Sequence, residues 1–187
     1  MVRVTDDELL GGAARDPAAF EPLVARHSTA LHGYLRRRAP AAADDLLAEV
    51  WLQAFAARRT FDASRGSARA WLFGVTRKVL AQHWQQLARA PQPPTADGIS
   101  TDPWQAVDQR LDAAAAGKRL RRELSELPAV ERELLLLVAW EQLTPTEAAA
   151  VVGIPAGTAR SRLHRARTRL RRGLTTSTLT QLQGDFA

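Results

Sequence analysis

The chain of 187 residues has no cysteine and almost no lysine, Lys78 and Lys118 being its two examples. The first absence excludes a disulfide framework and a cysteine-ligated zinc site. The second leaves arginine to carry the positive charge, with 26 basic against 20 acidic side chains, a net charge of +6 and a pI near 11.0. Long apolar runs are missing too. The strongest, LLLLVAW at Leu134 to Trp140, is far too short to span a bilayer. The opening MVRVTDDELL lacks the apolar stretch and small residues of a secretory signal. No membrane insertion and a cytoplasmic location are therefore expected.

Other absences narrow the function. The histidines, His27, His32, His83 and His164, never fall at helical metal-site spacing from one another or in a Glu-x-x-His arrangement. There is no Gly-rich phosphate loop and no nucleophile motif, so no catalytic residue, metal or cofactor is expected. Nothing alternates with a period of two, the signature of a half-buried strand.

At 45% hydrophobic and 25% charged, the chain has the composition of a folded protein. Its basic balance favours a polyanionic partner, although an Ala- and Arg-rich bias also accompanies a GC-rich genome. The distribution of the charge decides between them. Between Glu147 and Asp185 there is no acidic residue, while Arg160, Arg162, Arg165, Arg167, Arg169, Arg171 and Arg172 crowd one short segment.

RAPQPPTADGISTDP, from Arg89 to Pro103, is rich in turn formers and has no helical periodicity, so it reads as a linker. The expected organisation is all-α: a helical domain over 1–89, a linker over 90–103, a second helical domain over 104–175 and a short tail over 176–187. In the first domain Thr5 and Glu8 form a capping box, and Asp16 with Pro17 signals a second start. Phe20, Leu23, Val24, His27, Leu31, Tyr34 and Leu35 then share one helical face. A helix over Asp44 to Ala57 presents Leu46, Leu47, Val50, Trp51 and Ala54 as its apolar side. Another, over Ser67 to Ala88, presents Trp71, Leu72, Val75, Val79 and Leu87.

In the second domain Asp102 is expected to cap a helix from Pro103. A helix from Pro128 should bury Leu134, Leu135, Leu137 and Val138. Thr144, Pro145 and Glu147 open the next one with a capping box and a first-position proline. That helix stops at Gly153, and Pro155 opens the last. On the last helix Ala159, Leu163, Ala166 and Leu170 form an apolar stripe, and Ser161, Arg165, Thr168 and Arg172 point away from it. Two helices across a tight glycine turn, the second basic and polar on its free face, are the helix-turn-helix geometry.

LPAVERELLLLVAWEQLTPTEAAAVVGIPAGTARSRLHRARTRLR resembles the −35-binding domain of bacterial RNA polymerase sigma factors of the sigma-70 family, extracytoplasmic-function (ECF) group. GTARSRLHRAR is its most specific piece. FEPLVARHSTALHGYLRRR, DDLLAEVWLQAF and ARAWLFGVTRKVLAQHW are similar, in order and spacing, to the family's other domain.

The resemblance implies a promoter-specificity subunit that binds core RNA polymerase, recognises −35 and −10 elements and assists −10 melting. Thr158, Arg160, Ser161, Arg162, His164 and Arg165 would contact the −35 element. Phe61, Arg65, Ser67, Arg69, Arg77, Lys78, His83 and Trp84 would hold the −10 strand, with TFDASRGS at Thr60 to Ser67 capturing a flipped base. Asp45, Leu46, Glu49, Val50 and Trp51 would dock on the clamp helices of the largest polymerase subunit. The −35 domain would rest on the flap, and an anti-sigma factor is an implied partner. Many relatives carry Asn where Lys78 stands and arginines at Gln85 and Gln86, which implies weaker phosphate contact at that helix end. A linker of this length reaches at most roughly 50 Å, enough for one chain to grip two DNA sites.

A free-standing helix-turn-helix regulator would explain the second half but leaves Asp44 to Phe55 without a role. Either reading requires phosphate contacts that release counterions, so promoter binding should weaken steeply as salt rises. A flat salt titration would contradict the assignment of the arginine cluster to DNA.

Overall fold

The computed structural model describes residues 4–89 and 115–184, with side chains described over 4–89 and 120–174. Among these residues there are eight α-helices and no strand. The chain divides into two compact units, Met1–Val107 and Asp108–Ala187. The expected helix at Pro103 and the Asp102 cap lie outside the described residues, as does the linker beyond Arg89.

The first unit contains α1 (Asp6–Gly12), α2 (Glu21–Arg38), α3 (Ala43–Ala57) and α4 (Ala68–Arg89), punctuated by short 3-10 turns. Thr5 and Glu8 form the capping box of α1, the Glu8 carboxylate accepting from the Thr5 N–H at 2.8 Å. Asp16 accepts from the Ala18 N–H at 3.0 Å and starts a 3-10 turn at Pro17, so α2 proper begins four residues later than its first proline signal. Leu23, Leu31 and Leu35 of α2, Val50 and Ala54 of α3, and Leu72 and Phe73 of α4 are fully buried together. Each such leucine contributes about 1.5–3 kcal/mol by leaving water. Tyr34 and Phe73 meet edge to face at 5.7 Å, the arrangement ring quadrupoles favour.

Leu10 of α1 and Ala13 just beyond it are buried, and Asp6 ties α1 to α2. The Asp6 carboxylate accepts from Arg26 at 2.7 Å and pairs with His27 at 2.7 Å. Burial raises the Asp6 pKa, but hydrogen bonds from Arg26 and His27 outweigh it and hold the group below the ordinary aspartate value.

In the second unit α5 (Ala115–Ser125), α6 (Ala129–Ala139) and α7 (Pro145–Val152) pack around α8 (Ala156–Gly184). Ala148, Ala149 and Val151 of α7 and Ala159, Leu163 and Ala166 of α8 are all buried, and the two helices are in contact. The Thr144 and Glu147 capping box is formed, with the Thr144 N–H donating to Glu147 at 2.9 Å.

Several expectations about the core are corrected, Val24, Leu47, Val75 and Leu170 being half-buried. Leu136 is buried, whereas Leu135 and Val138 are half-buried. The run LLLLV has no polar residue to mark an edge, and α6 touches both α7 and α8, which turns its buried arc. Leu87 is exposed, and Phe73 and Leu80 fill the core of α4 instead. With 22 residues against the 15 of α3, the end of α4 outruns its neighbour. Trp71 is half-buried rather than core, as described below.

Gly153 closes α7 in the left-handed conformation, φ 79°, and its N–H and that of Ile154 both donate to the Ala149 carbonyl, at 2.9 and 3.0 Å. A Cβ at Gly153 would meet nothing within 4 Å, so substitution carries a conformational cost alone. Gly153→Ala should destabilise the second unit by about 1–2 kcal/mol in urea melts, with Gly153→Asn milder because asparagine tolerates this region. The Asp6 contribution is complete above the unfolded value of about 3.9 and is lost as pH falls through the lower folded value. Thermal melts should show the first unit losing stability across that acid range, and Asp6→Asn should blunt the loss.

Candidate nucleic-acid interface

The exposed side of α8 begins one turn past Gly153. Arg160, Ser161, His164 and Arg167 are exposed, while Thr158 and Arg162 are half-buried. The stripe of Ala159, Leu163 and Ala166 explains this: three buried positions with small or medium side chains fix which way every other residue points. The Ser161 hydroxyl donates to the Thr158 carbonyl at 2.9 Å, and Thr168 does the same to His164. Each hydroxyl oxygen stays available as an acceptor.

Arg165 does not point squarely away from the apolar stripe, as the wheel places it. It leans toward α6, with Nε 3.9 Å from the Glu131 carboxylate, and Arg169 donates to the same group at 3.1 Å. Glu131 is only 6% exposed. A nearly buried carboxylate needs charged partners, and α8 supplies them across the helix boundary. The two arginines remain more than half exposed, so one flank of the helix is tethered without being withdrawn from solvent.

In the first unit the segment before α4 folds back on itself. Asp62 accepts from the Ser64 N–H at 2.9 Å and its hydroxyl at 2.7 Å. The Ser64 hydroxyl and amide hold the Asp62 pKa below its ordinary value. Arg65 is exposed, and Gly66 has φ 152°, a conformation side chains rarely adopt. Ser67 is used structurally: its oxygen accepts from the Ala70 N–H at 3.2 Å, in the manner of a helix N-cap.

Phe61 is half-buried and meets Trp71 edge to face at 6.2 Å. Trp71 and Lys78 lie seven residues apart, nearly two turns, and so share one face of α4. The structure thus joins Phe61, Trp71 and exposed Lys78 into one aromatic and basic strip, with Arg77 exposed beside it. The half-exposure of Trp71 is not apparent from the sequence because its place among apolar residues reads as core. Arg69 lies elsewhere, half-buried with its guanidinium 5.9 Å from the Phe73 ring centre. His83 and Trp84 form a separate half-buried pair at 5.3 Å. Burial lowers the His83 pKa, disfavouring the charged form of the ring.

On α3 the expected docking residues split. Asp45 and Glu49 are exposed, Trp51 is half-buried 5.9 Å from Phe20, but Leu46 and Val50 are 7% and 0% exposed. Val50 is wholly core, whereas Leu46 is mostly buried but lines a surface cleft with Glu49 and Gln53. The exposed stripe is instead Asp45, Glu49 and Leu52, spaced four and three apart, with Phe55 at its edge. Leu52 is 68% and Phe55 38% exposed. An apolar residue in step with two acids on a polar face is the signal that was available. Gln53 links the stripe to α4, donating to Glu49 at 2.8 Å and to Gln82 at 3.2 Å.

Two family descriptions match the chain: sigma-70 region 2 over residues 23–90 and sigma-70 region 4 over residues 117–170. The ECF RNA polymerase sigma factor RpoE of Cereibacter sphaeroides is 32% identical over 166 residues, spanning 84% of this chain and 87% of that one. The ECF RNA polymerase sigma factor SigM of Mycobacterium tuberculosis is 32% identical over 173 residues, 90% and 84% of the two chains. Among solved structures, CnrH in complex with the cytosolic domain of CnrY superposes with a TM-score of 0.61 at 27% identity, covering 91% of this chain and 98% of that one. Region 2 contains the α3 stripe and the Phe61–Trp71–Lys78 strip, and region 4 contains the helix-turn-helix. With both regions matched and relatives of this identity aligned along most of their length, the chain belongs to the sigma-70 family, among its ECF RNA polymerase sigma factors.

Proposed function

We propose that the work of promoter selection is divided among the three surfaces just described. The chain is a sigma factor: it binds core RNA polymerase and directs initiation at promoters, and its family supplies specificity to the polymerase rather than catalysis. Helix α8 enters the major groove at the −35 element. Ser161 and His164 face base edges, and Thr158, Arg160, Arg162 and Arg165 meet phosphates and flanking bases. The observation that carries this reading is the exposed face of α8, basic and polar in its first turns and without a carboxylate of its own. Glu131 holds Arg165 and Arg169 to one side, which favours a phosphate role for both.

The loop from Phe61 to Ser67 receives the extruded −10 base. Taking a base out of its stack costs a few kcal/mol, and aromatic walls return part of that through stacking. Phe61 and Trp71 provide the walls, Arg65, Arg77 and Lys78 the phosphate contacts. Ser67 and Arg69 support the site from behind, and His83 and Trp84 extend the surface along α4. Residues 90–103 tether this unit to the −35-binding unit.

Asp45, Glu49 and Leu52, edged by Phe55 and Trp51, dock on the polymerase clamp helices, and region 4 rests on the flap. The protein acts in the cytoplasm, where its polymerase is. The likeness to CnrH, solved with the cytosolic domain of CnrY, supports a further protein partner, an anti-sigma factor.

The test is co-elution of the full chain with bacterial core RNA polymerase on size exclusion, followed by run-off transcription from a randomised promoter library. Wild type should co-elute and select a −35 and −10 pair, and Asp45→Arg should lose co-elution. If wild type fails to bind core polymerase, the docking assignment is wrong. Arg165→Ala should weaken −35 duplex binding by a similar factor on every sequence and reduce the salt slope by about 1, while co-elution is retained; loss of both binding and co-elution would refute its placement on DNA.

A further inference from the structure

Both ends of the loop between α3 and α4 are tied to α1, a helix of seven residues that holds none of the residues assigned above. At the far end of the loop, the Asp7 carboxylate accepts from the Ala68 N–H at 2.6 Å, a bond between residues 61 apart in sequence. Ala68 opens α4, and the first N–H groups of a helix have no partner within it. Ser67 satisfies the N–H of Ala70 locally. The first turn of α4 is thus capped once from its own strand of chain and once from α1.

At the near end, Arg58 donates through Nε to the carbonyl of Ala13, the residue that follows α1, at 2.9 Å. It also donates to the Phe55 carbonyl at 2.6 Å and lies 4.0 Å from the Phe55 ring centre. The opposite termini of one short helix therefore grip the two stems of one loop.

The helix doing the gripping is itself fixed. Leu10 and Ala13 are fully buried, and Asp6 is bonded to Arg26 and His27 of α2. The Thr5 and Glu8 capping box orders the turn that presents Asp7. Adjacent aspartates thus serve different neighbours, Asp6 fastening α1 to α2 and Asp7 fastening α4 to α1.

We propose that α1 is a bracket for −10 recognition, with Asp7 and Arg58 as positioning residues that set the span of the loop carrying Phe61 and Arg65. The inference rests on the reading of that loop given under Proposed function. A pocket for an extruded base must exist before the base arrives, because ordering a loop during binding consumes the affinity the contacts supply. Asp7 also places negative charge at the positive end of a helix of 22 residues, which strengthens the hold without touching DNA. The bracket is therefore electrostatic as well as geometric.

The experiment uses holoenzyme assembled from core polymerase and full-length chains. The probe is a fluorescein-labelled single strand carrying the −10 segment chosen by the run-off selection. Asp7→Ala should weaken single-strand binding about tenfold, the effect of losing a helix cap passed on to the site. It should also speed hydrogen exchange of the amides from Phe61 to Ala70, with core co-elution and −35 duplex binding unchanged. Asp7→Asn, which keeps an acceptor oxygen, should restore most of the binding.

Unchanged single-strand affinity in Asp7→Ala would overturn the proposal. So would faster exchange spread equally through α2 and α3, which would mark a general loss of fold. Phe61→Ala separates the bracket from the reading beneath it. If Phe61→Ala weakens the probe and Asp7→Ala does not, the bracket alone falls; if Phe61→Ala has no effect, the loop is not the reader and both fall.

Discussion

Seven arginines on one stretch of helix repel one another, and what allows that stretch to fold is a narrow apolar seam. Ala159, Leu163 and Ala166 are the fully buried residues among those described on α8, although α5, α6 and α7 all touch the helix. Small side chains let helix backbones approach closely, so a stable contact forms over a few residues. The remaining circumference is left to charge. A wider seam would have secured the helix and consumed the surface proposed to meet DNA.

The first unit follows a related rule with a different solution. On the reading proposed above its partners are a polymerase and a single strand, which suits the mixed acidic and apolar stripe it exposes on α3 and the aromatic and basic strip on α4. These sit on opposite ends of the polarity scale. They coexist because the core beneath is built from Leu23, Leu31, Leu35, Val50, Leu72 and Phe73, all fully buried. Two short polar devices then fix the edges: the Asp6 pairings on α2 and the Gln53 link between α3 and α4. Both act between helices rather than within one.

Helix identity and order were legible in the sequence because caps and prolines mark the starts: Thr5, Asp16 and Thr144 each cap as their spacing requires. The sides of helices were less legible where no polar residue defines an edge. LLLLV on α6 is the clearest case, and its buried arc is set by two neighbours that the run itself does not encode. Leu46 and Val50 illustrate a different limit: a docking helix has an inner and an outer face, and a motif quoted as a string mixes them. Trp71 looked like core for the opposite reason. Its outer edge becomes visible only when Phe61, from the loop, is brought against it. Contacts between residues far apart in sequence, such as Glu131 with Arg169 or Arg58 with Ala13, carry no local pattern and were not readable at all.

The composition of α8 has a consequence for control. Within the helix every basic side chain apart from His164 is arginine, whose charge survives across physiological pH. Acetylation, which erases lysine charge, finds no lysine on it, and methylation of arginine leaves the charge in place. On the proposed reading, the arginines' share of the attraction of this helix for DNA is therefore insensitive to pH and to lysine chemistry. A cell that needs to silence it cannot erase the charge of the arginines; it must add opposing charge, as phosphorylation of a hydroxyl would, or decide whether the helix is reachable, by covering it or by denying it the polymerase that carries it to a promoter.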